Sequence, residues 1–419
     1  MKLARLSLPL RRWPAWITVL LLGALAAATP WLDSLRPAPP DLQADREIRV
    51  TTPLDAGPGS LREAIFAADR AGGRARIVLE VPAIVLETPL PPLINPEGVV
   101  IDGGTIGCDI DARALRGGPA LELASPRSMV DGLRIRGAAG VGFLLRGKGA
   151  RLRRVAVRDS AVGVYLTEEA DDLLIEEAEF EGNAVGVHLS PSMTQANLKD
   201  NLFRKHKRAA VWAVARQLSP GSRPAAVNLR GNRFEADSIG VVLINVSGRI
   251  ERNQFSGAQT AAVYLAGPGA VVRENRISAG AGFGIYADAT EGTPIEENEV
   301  DHNSAGGVLV RGARNTTVRS NRIYANGYGI VVVFGSTVSP NTVASNVLLG
   351  QLEDGLYVVG GSPLMRANQV RGSRGSGLRI LDFLRGQRPR VVAEPFLEGN
   401  ILTGNGSDVP SREEYRIDD

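Results

Sequence analysis

From about residue 160 onward the chain repeats one short hydrophobic phrase. "AVGVYL" at residues 161–166 returns as "AVGVHL" at 184–189. Related phrases begin near residues 210, 240, 262, 284, 307, 329, 355 and 377, most of them 22 to 26 residues apart. The polar stretches between them carry asparagine on the same beat, at Asn201, Asn232, Asn253, Asn275, Asn298, Asn321, Asn346, Asn368 and Asn400. A sparser set, Asn183, Asn303, Asn326 and Asn405, runs five residues behind that register. Short β-branched segments at this period leave no room for a pair of helices and predict coils of two or three short strands. Such coils stack at about 4.8 Å, each strand pairing with its counterparts above and below. Asparagine at one turn position per coil tolerates left-handed backbone and bonds its neighbours through its amide, so the beat predicts a ladder. The "LxxLxL" phrase of leucine-rich solenoids and the four-strand blades of propellers are both missing.

Alternation within Gly-Val-x-Leu sends the valine and leucine inward and x outward. The predicted outward column is Tyr165, His188, Trp212, Val242, Tyr264, Tyr286, Leu309, Val331, Tyr357 and Arg379. It holds four of the seven tyrosines and, of the four tryptophans, the one that lies beyond residue 31. Aromatic faces at strand spacing suit pyranose rings, whose C–H faces stack on π systems while their hydroxyls bond at the rim. The aliphatic members of the column allow the alternative of a face covered by a protein partner. Two steps of the asparagine beat are long, 201 to 232 and 368 to 400. Their insertions, "RQLSPGSRP" and "DFLRGQRPRVVAEP", follow the aromatic strand and are expected to wall it.

Titratable residues gather beside one part of this column. Lys199, Lys205 and Lys207, three of only five lysines, lie within nine residues, with His206 between the last two and His188 one coil away. Histidine and lysine are readily tuned to move a proton next to a carboxylate. The candidate catalytic residues are therefore His188, Lys205, His206 and Lys207. The candidate substrate-binding residues are Tyr165, Trp212, Tyr264, Tyr286, Asp288 and Arg379. The bland alternative is that "FRKHKR" is a solvated turn.

Composition narrows the classes. With 48 basic and 45 acidic residues the net charge is +3, and no basic stripe with interleaved aromatics appears, so no nucleic-acid partner is expected. The one cysteine, Cys108, excludes an intrachain disulfide and reads as a small buried hydrophobe. No nucleotide-binding or zinc motif and no two-histidine spacing is present, so no metal or cofactor is expected. The N-terminus predicts export. "MKLARLSLPLRR" precedes twenty uncharged residues, 13–32, which fit either a signal peptide cleaved after Ala28 or a single-pass anchor in the inner membrane. Trp13, Trp16 and Trp31 at its ends favour the anchor, and a periplasmic or cell-surface body. Residues 33–45 read as an extended linker.

The repeats, over residues 121–406, resemble those of the right-handed parallel β-helix proteins of the pectate-lyase-like group. They are similar to repeats of nitrous-oxide accessory proteins and mannuronan epimerases. "LDAGPGSLREAIFAAD" at 54–69 adds to the resemblance, being similar to the opening of many exported β-helices. Ser60 and Glu63 form a capping box, and Leu61, Ala64, Ile65 and Ala68 fall on one helical face, as a plug for the solenoid end requires. The resemblance implies an all-β, right-handed parallel solenoid of about 11–13 coils, with residues 46–120 as cap and first coils and 407–419 as a polar tail. It also implies an extracytoplasmic, acidic polysaccharide as partner, with lyase or C5-epimerase chemistry. A noncatalytic glycan-binding or scaffold protein is the alternative. The "DPHD" motif of alginate epimerases, the "GHG" of polygalacturonases and the Arg-x-Pro-x-x-Arg of pectate lyases are all absent, which puts catalysis in doubt.

Overall fold

The computed structural model describes residues 43–417 except 191–194, 216–224 and 386–391. The segment 13–32, most of the linker and much of the two insertions lie outside the described residues. Among the described residues no helix is long and apolar enough to cross a membrane.

The body is a parallel solenoid in which each coil supplies one strand to each of three sheets, of fifteen, fourteen and thirteen described strands. One coil, for example, runs Leu173–Glu176, Glu179–Glu181 and Val185–Leu189. The next runs Gln195–Lys199, Leu202–Arg204 and Ala209–Val214, each strand parallel to its predecessor. Because side chains alternate across a strand, every inward position stacks on the same position one coil away. Phe180, Phe203, Phe234 and Phe255 form such a stack in the fourteen-stranded sheet, with ring centroids 5.1, 4.9 and 4.4 Å apart and planes within 13° of parallel. All four are buried, and each contributes about 2–3 kcal/mol through burial.

Two corners of the coil need polar groups inside. At the first, Asn275 Oδ1 accepts from the Asn253 backbone N–H at 2.9 Å and from Asn253 Nδ2 at 3.1 Å. Its own Nδ2 donates to the Ile250 carbonyl at 2.7 Å and to Asn298 Oδ1 at 3.0 Å. The same pattern links buried asparagines along the column from Asn201 to Asn368 and on to Asn400. The left-handed position, however, is the residue before each asparagine: Arg252, Glu274, Glu297, Ser320 and Ser345 all have φ of 54–56°. Asparagine is present for its amide, which satisfies corner backbone groups that a buried turn would otherwise orphan. That satisfaction offsets a left-handed cost of about 1–2 kcal/mol per residue.

The helix Leu61–Asp69 closes the N-terminal end, burying Leu61, Ala64, Ile65 and Ala68. Ser60 Oγ accepts from the Glu63 N–H at 3.3 Å, while the Glu63 carboxylate accepts from Gly59 N–H rather than from Ser60. At the other end the polar residues 407–419 include a strand, Ser411–Ile417, which joins the thirteen-stranded sheet beside Leu378–Arg385. Replacing Asn275 with alanine strands the Asn253 N–H and the Ile250 carbonyl, and is expected to cost about 2–5 kcal/mol in denaturant unfolding. A loss below about 0.5 kcal/mol would mean that the amide column contributes no stability.

Candidate functional site

Most strands of the thirteen-stranded sheet carry glycine at or next to their start, and Ala120, Ala210 and Ala262 take its place in three of them. At Gly163 an added Cβ would lie 2.4 Å from the Gly186 carbonyl oxygen and 3.0 Å from the Phe180 ring, so only glycine lets the coil close over the phenylalanine stack. The next outward position then recurs in strict register: Tyr165, His188, Trp212, Val242, Tyr264, Tyr286, Leu309, Val331, Tyr357 and Arg379. Val242 and Val331 are already buried, at 2% and 5% exposure, and need no partner to cover them.

This face differs from the other two. The outward positions of the fourteen-stranded sheet carry ion pairs such as Arg158–Glu179 at 3.0 Å and Arg276–Glu299 at 2.9 Å. Those of the fifteen-stranded sheet do likewise, with Arg319–Glu296 at 2.9 Å. On the third sheet, outward rings recur from coil to coil. Tyr165 and His188 have ring centroids 4.8 Å apart, Tyr264 and Tyr286 meet edge to face at 5.2 Å, and Tyr328 stacks on Tyr357 at 5.7 Å.

The expected catalytic group does not assemble. His206 is fully buried, and its Nδ1 lies 2.7 Å from Asp237 Oδ1, which also accepts the His206 backbone N–H at 2.9 Å. It stands in the second corner column, in line with Asn183, and acts as an asparagine substitute. Lys205 is the exposed left-handed residue before it and faces Glu181 at 3.6 Å. Lys207 is exposed on the following turn, and Lys199 pairs with Asp200 at 3.4 Å at the end of the fifteen-stranded sheet's strand. Consecutive strands of a coil lie on different faces, so three lysines close in sequence are dispersed around the coil. Cys108 is buried, and burial raises its thiol pKa to about 11, so it is not a nucleophile.

His188 remains on the face, half-buried between Tyr165 and Trp212. Burial, reinforced by the nearby Arg208 guanidinium, lowers its pKa from 6.5 and keeps the imidazole neutral at pH 7. Arg208 lies 4.8 Å over the Trp212 ring. Two further arginines repeat this arrangement: Arg311 lies 5.4 Å from the Tyr286 ring centre and Arg379 5.5 Å from that of Tyr357. In the register the three rings are three coils apart each time, about 14 Å.

These stations differ in charge. Asp288 accepts from Arg311 at 2.6 and 2.9 Å and from the Tyr264 hydroxyl at 3.1 Å. The Arg311 hydrogen bonds hold its carboxyl below the usual range, while burial and then Asp288 push the Tyr264 phenol up. Arg379 pairs with Glu413 at 2.5 Å and Asp354 at 3.6 Å, beside a hollow of about 510 Å³ lined by Val333, Tyr357, Val359 and Leu381. Arg208 has no carboxylate partner among the described residues. Sequence reasoning missed Arg208, Arg311 and Tyr328. Arg311 was within reach, because it stands two residues beyond Leu309 and alternation points it outward too.

Residues 217–374 match the family model for the right handed beta helix region. Among solved structures, the catalytic unit of a GH87 alpha-1,3-glucanase from Streptomyces thermodiastaticus aligns with a TM-score of 0.56 at 16% identity, over 90% of this chain and 70% of the other. The surface adhesin PfbA of Streptococcus pneumoniae aligns with a TM-score of 0.55 at 12% identity, over 75% and 92% of the two chains. The A-module of an Azotobacter vinelandii mannuronan C-5 epimerase aligns with a TM-score of 0.50 at 12% identity, over 85% and 98%. At these identities the likeness concerns the fold. No curated protein matches the chain in sequence.

The electrostatics of His188 make a checkable statement. Its NMR titration midpoint is expected below 6.5, and Arg208→Gln is expected to raise it. Because the unfolded chain takes the proton first, His188 costs native stability as the pH falls below about 6.5. A midpoint at or above 6.5 would remove both the desolvation and the Arg208 contact from the description.

Proposed function

We propose that this right-handed parallel β-helix repeat protein binds an extended glycan lengthwise along the outer face of its thirteen-stranded sheet. The observation that carries the proposal is the register-aligned aromatic column, with an arginine beside a ring at every third coil from Trp212 to Tyr357. Sugar rings stack on such faces through their C–H bonds, and the intervening arginines, phenols and carboxylates supply partners for hydroxyl groups. The span from Tyr165 to Tyr357 is eight coil steps, about 38 Å, enough for a polymer rather than a monosaccharide. Two of the similar structures, an alpha-1,3-glucanase and a mannuronan C-5 epimerase, support a polysaccharide as the partner class. Export through residues 1–32, with or without retention as an anchor, would put this binding outside the cytoplasm.

A second reading is favoured by one observation, the half-buried His188 imidazole beside Tyr165 and near the Arg208 guanidinium, whose burial and neighbouring charge lower its pKa. A base next to a cation and a phenol is the minimum set for removing a proton adjacent to a carboxylate, as a lyase or C5-epimerase must. Lys205, His206 and Lys207 take no part in it.

The purified protein is expected to bind oligosaccharides, and Trp212→Ala and Tyr286→Ala are each expected to weaken binding about tenfold, as for buried aromatic anchors. Titration calorimetry on the wild type and the two variants decides this. If both variants bind as the wild type does, the ligand lies elsewhere. Exchange of the C5 proton or new unsaturated ends, lost in His188→Ala, would establish the second reading over binding alone.

A further inference from the structure

We propose that the aromatic face takes a largely neutral glycan and reads a single anionic substituent on it, at the Trp212 station, through Arg208. This rests on the glycan-binding reading above. Of the three arginines that lie against outward rings, two are already answered within the protein: Arg311 by Asp288, and Arg379 by Glu413 and Asp354. The carboxylates at these two stations meet a further negative group with like-charge repulsion, and the arginine donors that would receive it are engaged.

Arg208 is different in two respects. It has no carboxylate partner among the described residues, and its neighbours on the column are the neutral groups Tyr165, His188 and Trp212. A guanidinium laid over an indole keeps its N–H edge free, and that planar fork matches a carboxylate, sulfate or phosphate oxygen pair. His188, half-buried beside this station, places no negative charge there.

A polymer with a carboxylate on every sugar therefore fits the Trp212 station and is opposed at the other two. A neutral polymer stacks at all three. A neutral polymer with one anion gains a charge-assisted contact when that anion falls beside Arg208. The face thus has a direction: its cationic station lies nearer the N-terminal coils, and its neutralised stations lie beyond.

The test uses the full chain and oligomers of about eight residues, the length of the column. Neutral β-1,4-glucan, β-1,4-mannan and α-1,3-glucan oligomers are compared with mannuronate and galacturonate oligomers. The best neutral one is then tested with one carboxylate at its reducing end, as the aldonate, and with one at its non-reducing end, as a uronate. The best neutral oligomer is expected to bind more tightly than either uronate. One of the singly charged forms is expected to bind about tenfold more tightly than its neutral parent, and Arg208→Gln is expected to abolish that ratio, so that the charged and neutral forms then bind alike. Asp288→Asn, which releases Arg311, and Glu413→Gln, which removes the nearer of the two carboxylates that hold Arg379, are expected to raise affinity for the uronate oligomers. The charge assignment is overturned if a uronate oligomer binds the wild type at least as tightly as every neutral one. It is equally overturned if neither singly charged form gains, or if Arg208→Gln weakens neutral and charged ligands alike. In those cases Trp212→Ala still weakens binding and the glycan reading stands. If no oligomer binds, or Trp212→Ala and Tyr286→Ala change nothing, the glycan reading fails and the charge assignment with it.

Discussion

A coil of this molecule cannot satisfy its own backbone. Its strands lie on different faces and never pair with one another, so nearly every strand N–H and C=O reaches to the coil above or below. Within a sheet that exchange is simple. At the corners the backbone turns inward, and the buried amides of Asn201 through Asn400 carry the exchange across. A single coil is thus unstable alone, and each one fixes the register of the next.

Register is what makes the outer face useful. Since corner asparagines and inward phenylalanines align from coil to coil, the outward residues align as well, at a step near the length of one sugar in an extended chain. The Trp212, Tyr286 and Tyr357 stations hold their spacing because the sheet beneath them is continuous, not because they touch each other. A binding site on such a scaffold costs little ordering when ligand arrives. The same rigidity explains why charge is arranged by face. On two sheets, long side chains of opposite sign sit on adjacent coils and neutralise each other, while the third keeps rings and aliphatic groups with three arginines among them.

The chain's closeness in sequence misleads where it crosses corners. "FRKHKR" looks like one cluster, yet a corner falls within it, and its members part to different environments. Lys205 goes to an exposed left-handed turn, His206 into the interior, and Arg208 onto the aromatic face. The signal for His206 was present, because it lies five residues after Asn201, on the beat of Asn183, Asn303, Asn326 and Asn405. Chemistry drew attention to the histidine, while the repeat had already assigned it to a corner.

By itself the sequence determined what depends on period. The 22-to-26-residue repeat, the two-residue alternation and the glycine that opens most phrases were sufficient for a parallel solenoid, for the asparagine ladder and for the outward column from Tyr165 to Arg379. The Ser60 cap and the apolar face of the helix were legible for the same reason, since both are local. The tertiary structure decided what depends on neighbours one coil away. It placed the left-handed geometry on the residue before each asparagine, stacked Tyr328 on Tyr357, and laid Arg208 over Trp212. It also paired Asp288 with Arg311 while leaving Arg208 without a carboxylate among the described residues. Tyr328 and Tyr357 are 29 residues apart in the chain and Asp288 and Arg311 are 23, and only the stacking of coils brings these side chains within reach, so their charges and burial could not be summed along the sequence.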